Sequence, residues 1–430
     1  MSFSSFLPCI MMLALLLLRI PVAFALIIPT AFYYTFMNAT MPIEIVVQSM
    51  SASMESFPYL AIPFFTCAGV VFNLSGITDR VYGLVNLLVG HMRGGLAQVN
   101  VLMSAMMGGL SGSASADAAM DSKTVVPQML KQGYSKGFST VVTAASSVVT
   151  PIIPPGIILI LYSLMADVSV ARMFMAGYVP GILLTVALMI TVRWIAVRRG
   201  YVPAREAKAS GREIWHHVKQ SSWALMLPVF LIVGMRFGAF TATEAGAMAV
   251  LYAIFVGTVV YRELKWSHVP QILIESVEAT ASVMFIVASA MAFGSYLTWE
   301  GIPTGVTNLL VNNVSSPWAL LLIINIFLLF VGFFFEGGAA MVLLAPILVP
   351  AVKAMGIDLV HFGIVMSVNL TIAGFTPPVG TMMFITLAIT KTRMEEYIRE
   401  CWPFLIALVA VLALITYVPW LVLILPRLFM

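Results

Sequence analysis

The chain has 430 residues, of which 61% belong to the apolar set AVILMFWYC and only 9% are charged, with a mean hydropathy of +1.02. Soluble domains carry about 25% charged residues. This composition therefore excludes secreted disulfide scaffolds, cytosolic enzymes, nucleic-acid binders and disordered chains. The net charge of +4 is too small to indicate a polyanionic partner. Cys9, Cys67 and Cys401 lie far apart in apolar stretches, which predicts packing rather than disulfides or metal binding.

Apolar runs long enough to cross a bilayer recur along the chain, since a helix needs about 20 apolar residues for one crossing. The first run covers residues 6–18 and continues through 22–36. We expect residues 1–40 to be a retained N-terminal span, because no Lys or Arg precedes Arg19 and no cleavage site follows a short apolar core. The other runs lie at 57–74, 138–165, 173–197, 223–239, 242–261, 279–298, 317–335, 361–390 and 403–426. The sequence predicts a multi-pass helical bundle.

The largest polar segment lies near the middle of the chain, in the predicted loop 198–222. It contains Glu206, Glu213 and six of the 22 basic residues: Arg198, Arg199, Arg205, Lys208, Arg212 and Lys219. Cytoplasmic loops of membrane proteins are enriched in Lys and Arg, so we predict that this loop is cytoplasmic. An ordinary topogenic signal explains these charges more simply than a binding role does.

The two halves beside this loop match each other without a gap. Proline is about 5% of residues on average, so four prolines that recur at one offset indicate an internal duplication. We predict repeats at 41–197 and 263–430, separated by the loop and by scaffold helices at 223–262. Basic residues flank the first polar segment more strongly than the second, which predicts inverted repeats. Adding 223 to a residue number pairs Gly109 with Gly332, Pro127 with Pro350, Gly133 with Gly356, Pro154 with Pro377, Pro155 with Pro378 and Pro180 with Pro403.

Each copy contains two stretches that do not fit a straight apolar helix. Residues 108–117 are rich in Gly and Ser and predict the tip of a re-entrant hairpin, with a counterpart at 332–340. Residues 150–156 and their echo 376–380 each contain a proline pair. Proline removes an amide donor and clashes with the carbonyl four residues back, so we predict that each span unwinds there. The alternative is a helix kinked for packing, but packing kinks need not recur together with hairpins.

Unwound backbone is tolerated in a membrane only where protein covers it or a water-filled cavity lies beside it. Two tips and two breaks therefore predict a polar pocket near the bilayer centre. There, free carbonyl oxygens can hold a hard cation such as sodium while helix N-termini face an anion, as in secondary transporters. A membrane enzyme is disfavoured, because the sequence has no HExxH motif, no serine nucleophile elbow and no phosphate-binding loop. An ion channel is the other alternative.

Four motifs together resemble the large membrane subunit of tripartite ATP-independent periplasmic (TRAP) transporters, over essentially the whole chain. They are Gly-Ser-Ala-Ser-Ala-Asp at 112–117, Pro-Ile-Ile-Pro-Pro at 151–155, Met-Ala-Gly-Tyr-Val-Pro-Gly at 175–181, and Asn-Leu-Thr-Ile followed by Thr-Pro-Pro-Val-Gly within 369–380. The resemblance implies an all-α polytopic fold with inverted repeats, two re-entrant hairpins and two broken helices. This is the elevator type of the ion-transporter superfamily.

The resemblance also implies a function. We expect sodium-driven import of a carboxylate such as a sialic acid, a C4-dicarboxylate or a keto-sugar acid, across a bacterial inner membrane. The implied partners are a small four-helix membrane subunit and a periplasmic substrate-binding protein, with lipid around the chain. No nucleic acid and no cofactor are expected, Na⁺ being the coupling ion. A sodium/anion symporter of another family stays open as an alternative.

Site residues follow from the matching motifs. The first sodium site is expected at Ser111, Gly112, Ser113, Ser115, Thr150, Ile153 and Pro155. The second is expected at Gly332, Gly337, Ala373, Thr376 and Val379. The substrate is expected to contact Ser113, Ser115, Thr150 and Glu336.

A charge at the bilayer centre costs at least about 2.5 to 3.5 kcal/mol, so each intramembrane charge is expected to be paired or to face a cavity. Glu336 is interpreted as functional, whereas a functional and a structural role are equally open for Asp117. The family usually places Asp-Ala-Thr where this chain has Glu336-Gly-Gly, which predicts a pocket for a different polyhydroxylated acid. Four other charges are predicted near span ends, where snorkelling or pairing explains them: Arg236, Glu244, Glu278 and Glu300.

Overall fold

The structure is a computed structural model that describes residues 3–18, 20–38, 40–205, 207–314 and 316–430. Arg19 of the first predicted span and Glu206 of the basic loop lie outside these residues. The described residues form helices joined by short loops, with no strand among them. Seven helical segments in this part of the chain are long and apolar enough to cross a membrane. The predicted all-helical, multi-pass fold is confirmed.

The first helices are α1 (Leu7–Leu17), α2 (Val22–Phe32), α3 (Glu44–Glu55), α4 (Ala61–Leu74) and α5 (Ile77–Val89). A π-helical turn, Tyr33–Met37, follows α2, and a 3-10 turn, Phe57–Leu60, precedes α4. At the end of α2, the hydroxyl of Tyr33 donates to the Glu300 carboxylate at 2.5 Å. Glu300 directly follows the helix that ends at Trp299, near a span end as predicted, but its partner is a tyrosine hydroxyl and not the cation that an ion pair requires.

The middle of the first half contains a helical pair and an interrupted helix. Helix α6 (Gly95–Ser111) and α7 (Ala114–Thr124) meet at a two-residue turn, and α8 (Val126–Lys131) continues from α7. Helices α9 (Lys136–Ser146) and α10 (Ile157–Ala166) flank the non-helical residues 147–156. The long helix α11 (Val170–Arg199) then reaches the basic loop.

The basic loop is shorter than predicted, because among its described residues only 200–205 and 207–210 are non-helical. Helix α12 (Gly211–Arg236) takes up the rest, and α13 (Ala242–Phe255) follows it. Ser210 starts α12 as an N-cap, since its hydroxyl accepts a hydrogen bond from the Glu213 N–H at 3.2 Å. The sequence prediction followed the charges and missed this helix-start signal.

The second half repeats the pattern with α14 (Val269–Trp299), α15 (Ile302–Asn313), α16 (Pro317–Gly332), α17 (Gly337–Ala354), α18 (Leu359–Phe375), α19 (Thr381–Thr390), α20 (Met394–Tyr417) and α21 (Pro419–Phe429). Helices α7 and α17 start 223 residues apart, and so do α9 and α18. Helix α14 packs against α2, α3, α4 and α17. The predicted offset therefore recurs in the helix boundaries, while the division into domains at 197, 222 and 262 stays a prediction.

The hairpin tips are narrower than the Gly-rich sequence predicted. In the first tip only Gly112 and Ser113 are non-helical, and in the second only residues 333–336. Gly108 is helical, and a methyl group there would lie 2.7 Å from the carbonyl oxygen of Thr150. Glycine is needed here for close packing rather than for unwinding. The glycine-rich composition therefore predicted the position of the tip correctly but overestimated its length.

Helix α18 lies at the centre of the bundle. All of its residues from Val360 to Phe375 are buried. A helix that is apolar on every side is expected in the interior, because it has no face that prefers water. Its position brings the C-terminal end, which leads into the second break, next to α16 and α17.

Candidate functional site

The first tip ends one helix and starts the next within two residues. Gly112 terminates α6 with φ +59°, a left-handed conformation that glycine adopts without strain. Ser113 then caps α7, its hydroxyl accepting from the Ala116 N–H at 3.4 Å. Ser111, the last residue of α6, has a buried hydroxyl with no partner among the described residues. The tip therefore presents small hydroxyl groups at the N-terminus of α7.

The second tip has the same design with a carboxylate in place of the hydroxyl. Glu336 is the N-cap of α17, and its Oε2 accepts from the N–H groups of Gly338 at 3.0 Å and Ala339 at 3.2 Å. Glu336 lies 223 residues after Ser113, so the two caps occupy equivalent positions of the duplication. A carboxylate at this place is favourable because the N-terminal end of a helix carries partial positive charge.

Both tips line one cavity of about 100 Å³, enough for several water molecules. The wall opposite the tips comes from α14, through Val283, Ile286 and Val287. Glu336 is the acidic residue of the lining, and none of the described lining residues is Lys, Arg or His. The remaining lining residues are Gly112, Ser113, Ala114, Ser115, Pro151, Ile157, Ile158, Leu161, Gly337, Gly338, Ala339, Val342, Leu370, Thr371, Gly374, Thr381 and Met382.

The first break lies directly against the first tip. The Ile157 N–H donates to the carbonyl oxygen of Gly112 at 3.4 Å, and a methyl group at Gly112 would overlap the Pro155 carbonyl oxygen. No described backbone N–H donates to the carbonyl oxygens of residues 150–155. Residues 150–155 are buried apart from the partly buried Ile153, so this unwound backbone is covered by protein, as a membrane requires.

The second break repeats this arrangement. A methyl group at Gly332 would overlap the Ala373 side chain, so the end of α16 touches the end of α18. The Thr376 hydroxyl donates to the Ile372 carbonyl oxygen at 2.7 Å, which leaves its lone pairs available. No described backbone N–H donates to the carbonyl oxygens of residues 377–379. Both proline pairs, Pro154-Pro155 and Pro377-Pro378, are joined by cis peptide bonds.

The structure brings the predicted residues together in two groups around the cavity. Five of them line it: Gly112, Ser113, Ser115, Glu336 and Gly337. The others belong to the tips and breaks but are not part of the lining: Ser111, Thr150, Ile153, Pro155, Gly332, Ala373, Thr376 and Val379. Thr150, predicted as a substrate contact, is fully buried and faces Asp117 instead of the cavity.

A buried pair of carboxylates on α7 was not predicted as a unit. Asp117 and Asp121 are only 2% and 1% exposed, one helical turn apart. Thr150 donates to Asp117 at 2.9 Å, and Ser104 lies 3.4 Å from Asp121. No described cation pairs with either acid, and Oδ1 of Asp117 has no described partner. The i, i+4 spacing of the two aspartates, in a polar segment that lies between apolar runs, was the sequence signal that could have found them.

A sequence model of the family described as tripartite ATP-independent periplasmic transporter, DctM component, matches residues 9–421. This chain belongs to that family. It is therefore a TRAP transporter permease, a component of a tripartite transport system, and not an enzyme. The resemblance that the four motifs carry is confirmed.

Known relatives of this TRAP permease match it over nearly its full length. The sialic acid TRAP transporter large permease protein SiaM of Vibrio cholerae is 37% identical over 418 residues, 97% of either chain. The 2,3-diketo-L-gulonate large permease protein YiaN of Escherichia coli is 36% identical over 400 residues, 93% of either chain. The isethionate permease protein DctMQ of Oleidesulfovibrio alaskensis is 35% identical over 88% of this chain, which spans 60% of that longer protein.

Among solved structures, the fold is similar to that of the YdaH transporter of Alcanivorax borkumensis. The TM-score is 0.64, with 13% sequence identity, over 96% of this chain and 98% of that one. At this identity the likeness concerns the helical fold and not the substrate.

Proposed function

We propose that this TRAP permease imports a small organic acid across the bacterial inner membrane, coupled to sodium. The observation that carries the proposal is the cavity where both tips meet, which holds a carboxylate and, in its described lining, no basic side chain. The relatives named for sialic acid and 2,3-diketo-L-gulonate support an organic acid as the substrate class.

Coupling to sodium follows from charge balance in this cavity. An organic acid that enters beside Glu336 brings a second negative charge into a low-dielectric site, where like charges repel strongly. No lysine or arginine of the described lining offsets this repulsion. Cations held by the free carbonyl oxygens of the two breaks would offset the repulsion. One cation would lie at Ser111, Gly112 and residues 150–155, and the other at Gly332, Ala373 and Thr376.

The substrate is proposed to lie between the two helix caps. Ser113 and Ser115 offer hydroxyl donors to its carboxylate, and the N-terminus of α7 adds partial positive charge. Glu336 uses Oε2 for capping, so Oε1 is left to accept a hydrogen bond from a substrate hydroxyl. This division of roles favours a polyhydroxylated acid, because a second substrate carboxylate beside Glu336 would be repelled.

Transport is proposed to follow an elevator mechanism with inverted repeats. The tips, the breaks and the cavity they enclose would move as one body, and α14, which supplies the opposite wall, would belong to the static scaffold. The repeated helix starts of α7, α9, α17 and α18 support a duplicated moving unit.

The partners are proposed to be a small membrane subunit and a periplasmic substrate-binding protein. The family is tripartite by name, and the DctMQ permease exceeds the length that this chain matches. That extra length leaves room for a fused membrane component.

The test is uptake by proteoliposomes that contain the permease with its small subunit, with the binding protein outside. Labelled sialic acid, 2,3-diketo-L-gulonate and a C4-dicarboxylate serve as probes. We expect uptake of one acid when sodium is high outside, and none when potassium replaces sodium. Equal uptake in potassium would contradict sodium coupling, and ion conductance far above carrier rates would indicate a channel.

A further inference from the structure

Two arginines lie at the end of the bundle opposite the basic loop, where the positive-inside rule does not predict basic residues. Helix α11 reaches the basic loop at Arg199, and Arg172 lies in its first turn, about 40 Å away along the helix axis. Helix α12 starts just after the same loop and ends at Arg236. Basic residues on the side opposite a cytoplasmic basic loop run against the usual distribution, so they call for a local explanation.

Arg172 and Arg236 line one open cavity of about 580 Å³ between the ends of α11, α12 and α21. Leu428 and Phe429 of α21 complete its wall, and the guanidinium carbon of Arg236 lies 5.2 Å from the centre of the Phe429 ring. The lining also includes Met430 with its backbone carboxylate, but no described acidic group, this carboxylate included, forms an ion pair with either arginine. Two guanidinium groups against one carboxylate leave the cavity with a net positive charge that suits an anion.

The rim of this cavity is apolar and exposed. Phe237, next to Arg236, is 79% exposed, and Leu428 is 66% exposed. Large apolar side chains in such positions are expected to contact lipid, and aromatic rings prefer the level of the headgroups. Guanidinium groups bind phosphate oxygens through paired hydrogen bonds. Arginines beside exposed apolar groups thus match the two parts of a phospholipid.

We propose that this cavity, formed by the ends of α11, α12 and α21, binds the phosphodiester group of an anionic phospholipid from the leaflet opposite the basic loop. An acidic protein surface would leave Phe237 and Leu428 without an apolar partner, whereas acyl chains cover them. Because α12 packs mainly on α5 and α13, while α21 packs on α11, the lipid bridges two separately packed groups of helices.

The permease is purified with its small subunit from membranes that contain phosphatidylglycerol. Native mass spectrometry measures the lipid that it retains, and thermal unfolding measures its stability. The test variant is the double substitution Arg172→Gln/Arg236→Gln. The matched control is Arg212→Gln, an exposed arginine at the other end of α12. Added phosphatidylglycerol, diacylglycerol and inorganic phosphate are the three probes.

We expect phosphatidylglycerol to stay bound and to raise the unfolding temperature of the parent and of Arg212→Gln. The double variant should bind it about tenfold or more weakly, since hydrogen bonds to charged groups are lost. If the double variant is unstable, Arg172→Lys/Arg236→Lys should fold and bind with intermediate affinity, because it keeps charge but not the paired geometry.

Three outcomes would overturn the site. The first is unchanged lipid retention in both double variants of Arg172 and Arg236. The second is stabilisation by diacylglycerol equal to that by phosphatidylglycerol. The third is equal stabilisation by inorganic phosphate, which would indicate a free-anion site. Loss of uptake driven by the binding protein with lipid retention intact would indicate a protein-docking surface instead. Lipid retention and thermal unfolding, the two readouts that decide the site, depend neither on which acid is transported nor on sodium.

Discussion

Glu336 and Asp358 cap successive helices with the same hydrogen-bond pattern. Asp358 Oδ1 accepts from the N–H groups of Val360 at 2.8 Å and His361 at 3.1 Å, as Glu336 Oε2 does at the start of α17. Glu336 lines the cavity, and Asp358 does not. Of these two helix-capping carboxylates, only Glu336 therefore lies in the cavity where we propose that the substrate binds.

We predict that Glu336→Gln lowers uptake about tenfold or more, because a charged acceptor for substrate is lost. The glutamine oxygen can still cap α17, so the free energy of unfolding should fall by at most about 1 kcal/mol. Asp358→Asn is the control: it should lose similar stability and keep uptake. Uptake rates and thermal unfolding of both variants check this, and equal uptake in the two would return Glu336 to a purely structural role.

Thr376 offers a second test at the level of one side chain. Thr376→Val keeps the shape of the side chain and removes a hydroxyl oxygen proposed to coordinate sodium. We expect the sodium concentration for half-maximal uptake to rise about tenfold, as the loss of one neutral ligand implies.

The control for Thr376 is Thr386→Val. Its hydroxyl is equally buried and donates to the Met383 carbonyl oxygen at 2.9 Å, but it lies within α19 and away from the break. Both variants should fold, and a sodium titration of uptake distinguishes them. A parental sodium response in Thr376→Val would remove Thr376 from the site.

At the scale of elements, the first tip and the first break are in close contact. Gly112 has positive φ and also lies against Pro155, whereas Gly133 has φ +83° with nothing within 4 Å of an added methyl group. The pair separates the conformational effect from the contact. Gly133→Ala should lose about 1 to 2 kcal/mol from backbone strain alone.

Gly112→Ala should lose clearly more stability than Gly133→Ala, and its uptake per folded molecule should fall, because the tip is pushed away from the carbonyl oxygens of the break. Thermal unfolding and sodium-driven uptake are the measurements. Equal effects of the two substitutions would mean that the contact between tip and break does not matter for transport.

At the scale of the whole molecule, the elevator proposal requires that α14 and the tips move past each other. Ile286 of α14 and Val342 of α17 line the same cavity, as does Ile158 of α10. In a variant with Cys9, Cys67 and Cys401 replaced by serine, cross-linked cysteines at 286 and 342 should stop uptake. Cross-linked cysteines at 158 and 342 should leave it largely intact, because α10 and α17 would move together. Full uptake with the first cross-link in place would contradict the mechanism.

Local chemistry explains how much of this site the sequence predicted. Proline acts on its own backbone and on the residues just before it. The breaks at 150–156 and 376–380 could therefore be predicted without knowledge of any tertiary contact. The width of the tips could not be predicted, because Gly108 is helical and its lack of a side chain is required by Thr150, a residue 42 positions away. Likewise, the role of Glu336 as a cap depends on where α17 begins.

The sequence by itself determined the lipid environment, the duplication, the breaks and the family, because composition, periodicity and proline act locally or repeat along the chain. Tertiary structure decided which residues face one another. It turned Thr150 toward Asp117, set Ser113 and Glu336 on one cavity, and placed Arg172 and Arg236 on another. Such pairings depend on how helices far apart in the chain pack together, and helix packing is fixed by the shapes of whole surfaces rather than by any single segment.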